Sequence, residues 1–214
     1  MKKKKMLFSL VATFVLMFLF SLGSVSAEET NSTNLSLANK DVKVITDPDE
    51  LQPFKEKFGE KLGDKKLEKV TIVEPKELSV KNDLMPFNNV KLAATGYNLR
   101  NISKTNGCGI QEIRRSTYSY PGGTMTVSES VSATASATGG ISMAGISAEL
   151  GFSVTKSYGI SDSQNVVVAK GKSKTVRAFP TLDVYNFNVY NGSTKKGSGN
   201  AQKPVGVCFV QYSN

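Results

Sequence analysis

The sequence predicts a mainly β protein, either an antiparallel sandwich or an elongated twisted sheet, preceded by a small α/β segment. Polar and apolar residues alternate with a period of two over most of residues 124–160, which is typical of strands with one buried and one exposed face. Beyond residue 108, short apolar runs recur between turn residues rich in Gly, Pro, Asn and Ser. These features together indicate about seven antiparallel strands in the C-terminal half.

The first 27 residues have the pattern of an export signal. Lys2–Lys5 precede an apolar run at residues 6–22, and the small residues Val25-Ser26-Ala27 predict cleavage after Ala27. We therefore expect a secreted, extracellular protein, with a lysine-rich start typical of Gram-positive bacteria; a retained membrane anchor is the alternative. The polar residues 28–40 predict a flexible leader.

A small α/β segment is predicted at residues 41–91, with short strands on either side of one helix. Asp47 is placed as the N-cap of that helix and Pro48 at its first position. Residues three to four apart form its apolar face: Leu51, Phe54 and Phe58. The Ala-, Gly- and Asn-rich residues 92–107 predict a linker, and residues 108–214 a β domain.

Cys108 and Cys208 are the two cysteines of the chain. An even number of cysteines in an exported protein predicts a disulfide, which here would join the start of the β domain to its end. Closing a loop of ~100 residues corresponds to ~4.7 kcal/mol in the chain-entropy description of disulfide stabilisation. Because there is no Cys-x-x-Cys motif, we expect a structural rather than a redox role; two free thiols are the alternative.

The alternating segment predicts one long amphipathic hairpin rich in Ser and Thr. In the predicted register Val131 faces Val154 and Glu129 faces Lys156, so that apolar residues meet and the two charges pair. Two adjacent glycines mark the start of the tip. The apolar face and the tip comprise Val131, Ala133, Ala135, Ala137, Ile141, Met143, Ile146, Ala148, Leu150, Phe152 and Val154.

An enzyme is the weaker interpretation. The chain contains no histidine, which removes the commonest general base near neutral pH and most zinc sites. Asp47, Asp49 and Glu50 lack the spacing of a Ca²⁺-binding loop and are better explained as a helix start. We therefore expect no catalytic residues, no metal site and no cofactor.

The two parts of the exported chain differ in charge. Residues 28–91 hold 11 Lys and 13 acidic residues, whereas residues 92–214 hold 12 Lys or Arg and 5 acidic residues. A basic extracellular region favours a membrane surface or a cell-wall polymer as partner, and no nucleic acid; solubility alone is the alternative. The change in charge also permits an activation peptide that is removed near residues 90–107.

Residues 124–175 resemble the central β region of aerolysin-type pore-forming proteins, including the epsilon-toxin and mosquitocidal-toxin relatives. The resemblance, at the level of pattern, covers about residues 108–190. It rests on the Ser/Thr-rich hairpin with its apolar tip, and on the strand and turn Val166-Val167-Val168-Ala169-Lys170-Gly171. The chain also resembles uncharacterised exported proteins of Gram-positive bacteria.

The resemblance to the pore-forming family implies soluble monomers that bind a surface, assemble as a homo-oligomer and insert the hairpin into a membrane. A spanning strand needs ~9–11 residues, and residues 131–139 and 146–154 provide nine each. The alternative is a secreted binding or structural module without membrane activity. In that case the Ser/Thr/Ala alternation builds an ordinary packed sheet.

Overall fold

The computed structural model describes residues 40–59, 65–75 and 96–214 of the chain. The predicted export signal, its cleavage site after Ala27 and nearly all of the leader lie outside the described residues, as do residues 60–64 and 76–95.

The fold is mainly β and antiparallel, which confirms the predicted class. The elements of the described residues, in chain order, are β1 (Lys40–Ile45), α1 (Gln52–Phe58), β2 (Lys66–Pro75), β3 (Tyr97–Cys108), β4 (Arg114–Ser119), β5 (Gly122–Ser132), β6 (Thr134–Ala137), α2 (Met143–Leu150), β7 (Ser157–Val167), β8 (Ser173–Asn191) and β9 (Thr194–Ser213).

One large antiparallel sheet is built around β8 and β9, the two longest described strands. Its order is β1-β2-β9-β8-β3, while β4 also pairs with β8 and β6 also pairs with β9. β5 and β7 form a separate two-stranded sheet. Apolar side chains of this small sheet pack against β2, β8 and β9, so the two sheets form layers over a shared core.

β8 and β9 are longer than the sequence indicates. Pro180 and the Gly- and Lys-rich residues 191–203 predict a strand end and a loop, yet both lie largely within strands. The Pro180 carbonyl accepts a hydrogen bond from the Gly109 amide (2.6 Å) in the gap between β3 and β4. Because the proline nitrogen points into the same gap, its missing N–H removes no ladder bond. Gly192 at φ 58° closes the short turn between the two strands.

The N-terminal elements are part of the large sheet. β2 pairs with β9 from Lys66↔Ser213 to Val73↔Val207, and β1 pairs with β2. The linker predicted at residues 92–107 is wrong where it is described, because residues 97–107 belong to β3. This strand is exposed along most of its length and buries only Leu99 and Cys108. It therefore carries no alternating apolar signal.

α1 begins at Gln52, later than predicted. The predicted N-cap, Asp47, instead accepts hydrogen bonds from the amides of Asp49 (2.9 Å) and Glu50 (3.3 Å) in the turn before the helix. The predicted apolar face is confirmed, since Leu51 and Phe58 are buried and Phe54 packs beside them.

The predicted disulfide joins Cys108 at the end of β3 to Cys208 in β9, with 5.5 Å between the Cα atoms. Both cysteines are buried in a cluster that we call the disulfide core. Its members are Ile45, Leu51, Phe58, Leu67, Val70, Cys108, Phe179, Cys208, Val210 and Tyr212. The rings of Phe58 and Phe179 stack at 4.5 Å between centroids, so α1 is packed directly beside the bridge.

The disulfide closes a sequence separation of 100 residues. We expect replacement of both cysteines by alanine to lower the free energy of unfolding by about 4.7 kcal/mol, since the unfolded chain regains the entropy of that loop. Urea denaturation measures this loss, and the reduced wild-type protein is the control. A loss below about 1 kcal/mol would contradict a structural role for the bridge.

Candidate functional site

The hairpin predicted at residues 124–160 lies within residues 122–167, which form a continuous two-stranded sheet only in their proximal half. There β5 and β7 pair from Gly122↔Val167 to Ser132↔Ser157. The polar and apolar faces are as predicted, because Met125 and Val127 are buried whereas the Ser and Thr residues between them are exposed.

The predicted register of the hairpin is wrong by four residues. Val131 faces Tyr158 instead of Val154, and Glu129 faces Ile160 instead of Lys156. A shift by an even number keeps every side chain on its face, so the alternation alone does not select one register. A cross-strand charge pair contributes only ~0.2–1 kcal/mol, which is less than the burial of the apolar residues under this sheet.

The distal half of the segment, residues 133–156, does not continue the hairpin. The last backbone hydrogen bond that continues the β5–β7 pairing runs from the Ala133 amide to the Lys156 carbonyl (2.9 Å). β6 then pairs with β9 through Thr134↔Gln202 to Ala137↔Gly199, and α2 follows. The predicted second strand at residues 146–154 is therefore wrong for this fold. We call residues 133–156 the distal segment.

Helix α2 has clear terminal signals that the alternating pattern obscures. The Ser142 hydroxyl accepts a hydrogen bond from the Gly145 amide (3.1 Å) as N-cap. Gly151 at φ 75° ends the helix in the left-handed conformation, with its amide bonded to the Ser147 carbonyl (3.0 Å). Ile146 and Leu150 are four residues apart, which suits one helix face as well as one strand face.

Most residues of the predicted apolar face are covered in this fold. Ala133, Ile146, Phe152 and Val154 are buried, and Val131, on β5, is half-buried. Ala135, Ala137, Ile141 and Leu150 are half-buried, whereas Met143 and Ala148 are exposed. Many of these residues pack in a third cluster, the distal core, around Leu99, Ile146, Phe152, Val154, Phe187, Val189 and Ala201.

Close backbone contact and hydrogen bonds hold the distal segment. A Cβ atom added to Gly199 would lie 2.5 Å from the Ser136 carbonyl oxygen and 2.6 Å from the Phe187 ring, so only glycine lets β6 dock there. The Tyr158 hydroxyl donates to the Ser153 carbonyl (3.0 Å), and Glu149 accepts from the Leu99 amide (3.3 Å).

The small sheet is held by an apolar underside and one ion pair. Its residues Met125, Val127, Ile160 and Val166 pack against the large sheet in the cluster that we call the hairpin core. Lys40 at the start of β1 places Nζ 3.2 Å from Asp162 Oδ2 and donates to the Ser161 carbonyl (3.1 Å). Because 122 residues separate Lys40 from Asp162, no local sequence signal could have indicated this pair.

A cluster of carboxylates lies beside the small sheet. The Asn106 amide donates to Glu74 Oε2 (2.7 Å) and to Asp183 Oδ1 (3.0 Å), and the second oxygen of Asp183 pairs with Lys104 (3.0 Å). Burial, together with the charge of Asp183, raises the pKa of Glu74. Because the folded state binds this proton more tightly than the unfolded state, the ionised Glu74 lowers stability at high pH. The cost disappears as the pH falls through the raised pKa.

A second buried polar group lies nearer the start of β8. Arg177, at 4% exposure, contacts Glu112, which also pairs with Arg115 (2.9 Å). The Arg177 guanidinium also lies 5.3 Å from the centre of the Phe179 ring. Burial raises the pKa of the neighbouring Tyr212 to about 12. This cluster borders the disulfide core through Phe179 and Tyr212. The ion pair with Glu112 compensates for the removal of the Arg177 charge from water.

No protein-family model and no curated protein matches the chain. In the part of the chain that the structure describes, no group of three or more Cys, Asp or Glu side chains has the arrangement of a metal site. None of the helices in that part is long and apolar enough to cross a membrane.

Two apolar residues of α2 differ in burial because the helix docks by one face. Ile146 is fully buried, whereas Met143 is 42% exposed. We expect Ile146→Ala to lower the free energy of unfolding by about 2–5 kcal/mol through the cavity that it leaves. The matched variant Met143→Ala should change it by no more than about 0.5 kcal/mol. Urea denaturation measures both, and equal losses would contradict the docked helix.

Proposed function

We propose that the protein is a secreted, non-enzymatic pore-forming protein that inserts the hairpin of residues 122–167 into membranes after oligomerisation. The observation that carries the proposal is a conflict within the distal segment. Its sequence alternates between apolar residues and polar or small residues, mostly Ser and Thr, on both sides of the tip, yet in this fold it forms a short strand, a turn and a helix. Neither α2 nor the turn requires that alternation. A second, fully extended conformation does.

The register of β5 and β7 supports this second conformation when it is extended through the distal segment. Continuing the pairing Ser132↔Ser157 places Met143 opposite Ile146 and leaves Ala144-Gly145 as a two-residue turn. Small residues then face larger ones along the hairpin: Ala135 faces Val154, Ala137 faces Phe152, Gly139 faces Leu150 and Ile141 faces Ala148. The observed register thus gives an extended hairpin with matched partners up to its tip.

The extended hairpin would have the length and the faces of a membrane-spanning pair. Residues 134–143 and 146–155 provide ten residues each, and a spanning strand needs ~9–11. The apolar residues of both strands share one face, and the Ser and Thr residues share the other. Of the two charges in the distal segment, Glu149 lies on the polar face and Lys156 at the base. Apolar residues therefore face lipid and hydroxyls face water.

Assembly into a homo-oligomer is supported by the edge of the large sheet. β1 is the terminal strand in the described order and exposes Val42 and Val44, at 54% and 56%. Exposed apolar residues on an edge strand favour pairing with another chain.

The excess of Lys and Arg in residues 92–214 favours an anionic membrane surface.

A secreted module that binds a surface or the cell wall without membrane activity is the second candidate. The observation that favours it is the distal core, which already covers most of the apolar face of the distal segment.

Dye release from anionic and neutral liposomes by the mature, oxidised protein separates the two candidates. The assay is run with and without limited trypsin, to include the activation-peptide hypothesis. Absence of release in every condition would overturn the pore-forming proposal in favour of the binding module.

A disulfide between β6 and β9 tests whether the distal segment must leave the large sheet. Thr134 and Gln202 are directly opposed, and opposed Cα atoms ~4.5–5.5 Å apart are within disulfide range. We expect the Thr134→Cys, Gln202→Cys variant to release dye about tenfold more slowly or not at all, and to recover when the new bridge is reduced.

The matched control joins two strands that the proposal leaves in place, by Thr105→Cys with Val184→Cys between β3 and β8. This variant should release dye as the wild-type protein does. Full release from the oxidised β6–β9 variant, with its bridge verified by peptide mass spectrometry, would show that detachment of β6 is unnecessary.

A charge on the apolar face tests the lipid-facing side. Ala148 is exposed on α2, so Ala148→Arg leaves the described fold intact, but it would place arginine against lipid in the extended hairpin. Arginine on the lipid face costs about 2–4 kcal/mol at the bilayer centre and less towards the tip, where Ala148 would lie, so we expect dye release at least about threefold slower. Thr155→Arg adds the same charge on the polar face and should release dye normally. Equal release by the two variants, at unchanged melting temperatures, would refute the assigned faces.

A further inference from the structure

An open groove of about 480 Å³ crosses the large sheet where β3, β8, β9 and β6 lie side by side. Four asparagines line it: Asn101, Asn186, Asn188 and Asn200. Its remaining polar lining consists of the hydroxyl residues Ser136, Thr138 and Ser198. The lining therefore contains no charged side chain.

Strand register places these side chains in two rows. Asn200 faces both Asn186 on β8 and Ser136 on β6. In the next row Ser198 faces Asn188, and the Thr138 hydroxyl donates to the Ser198 carbonyl (3.2 Å). Neighbouring strands are ~4.8 Å apart and alternate residues ~6.8 Å apart along a strand. The sheet thus presents amides and hydroxyls at a regular, short spacing.

The amides of the groove are available to a ligand. Within the described residues, the side chains of Asn186, Asn188 and Asn200 form no hydrogen bond to another part of the chain. Each amide offers two donors and one carbonyl acceptor. Ala137 and Phe187 also border the groove, but Phe187 is only 3% exposed, so the groove offers little apolar surface.

Asn101 has an unusual backbone conformation at the rim of the groove. Its φ of 54° makes it the only described residue other than glycine with positive φ. It lies in the irregularity of β3 between Arg100 and Ser103, where one extra residue interrupts the pairing with β8. Such bulges redirect side chains and are frequent beside binding sites. Here the bulge adds a fourth amide to the groove.

We infer that this groove binds a neutral oligosaccharide. Adjacent sugar hydroxyls each donate and accept hydrogen bonds, and carboxamides complement them with both kinds of group. An anionic polymer would call for Lys or Arg in the lining, and an apolar peptide would call for exposed aliphatic or aromatic surface. The volume lies in the range of small-molecule sites, which is ~300–1,000 Å³.

One wall of the groove belongs to the distal segment, since Ser136 and Thr138 are part of β6 or follow it directly. The site is therefore complete only while β6 is paired with β9. Oligosaccharide binding does not depend on the proposed pore formation, and either proposal can fail without the other.

The test is NMR titration of the mature protein with maltohexaose and with chitohexaose, two neutral probes, and with a hyaluronan hexasaccharide as the anionic comparison. We expect a neutral probe to shift the side-chain amide signals of Asn186, Asn188 and Asn200 in a saturable way. Removing one amide, by Asn186→Ala or Asn200→Ala, should weaken binding by about three- to tenfold, the effect of one hydrogen bond.

Asn165→Ala is the matched control, because Asn165 is exposed on β7 away from the groove. It should bind as the wild-type protein does, and thermal melting verifies that all variants are folded. The proposal is overturned if neither neutral probe shifts the groove amides at millimolar concentration. It is also overturned if the anionic probe binds more tightly, or if Asn165→Ala weakens binding as much as the groove variants.

Discussion

The antiparallel pairing of β8 with β9 is the constraint on which the rest of the structure depends. These strands pair from Lys174↔Ser213 to Asn191↔Thr194, and every other strand of the large sheet except β1 pairs with one of them. β2 and β6 pair with different stretches of β9, while β4 and β3 pair with successive stretches of β8. The long pair therefore carries two regions with different neighbours: one with the disulfide core, the other with the distal core and the groove.

The fold class, the disulfide and the faces of the hairpin could be predicted because each rests on a local or compositional signal. Met125 and Val127 alternate with hydroxyl residues, and two cysteines behind a predicted export signal indicate a bridge. The length of β8 could not be predicted, because Pro180 fits within the strand only at the gap between the two neighbouring strands, β3 and β4. β3 was missed as well, since an exposed edge strand needs no alternating apolar residues.

The candidate site shows the same division. Most residues of the predicted apolar face are covered in this fold, except Met143 and Ala148, but the strand that pairs with β6 is β9, more than 50 residues away in sequence. Ser142 and Gly151 mark the ends of α2 and could have revealed the helix. In the sequence, the alternation of polar and apolar residues on both sides of the tip is the stronger signal, and it indicates strands. Local helix signals and the strand period thus compete within one segment, which is unusual for a sequence that adopts a single structure.

The position of the disulfide has a consequence for how stability is distributed. The bridge joins strands of the large sheet beside α1, whereas β6 is held by four paired residues and by packing without ion pairs. Opening of the distal segment and unfolding of the whole chain are then separate equilibria with separate free energies. This division would let the region around the disulfide withstand heat and proteolysis while the proposed rearrangement stays confined to the distal segment. Its melting temperature therefore says little about how readily that rearrangement occurs.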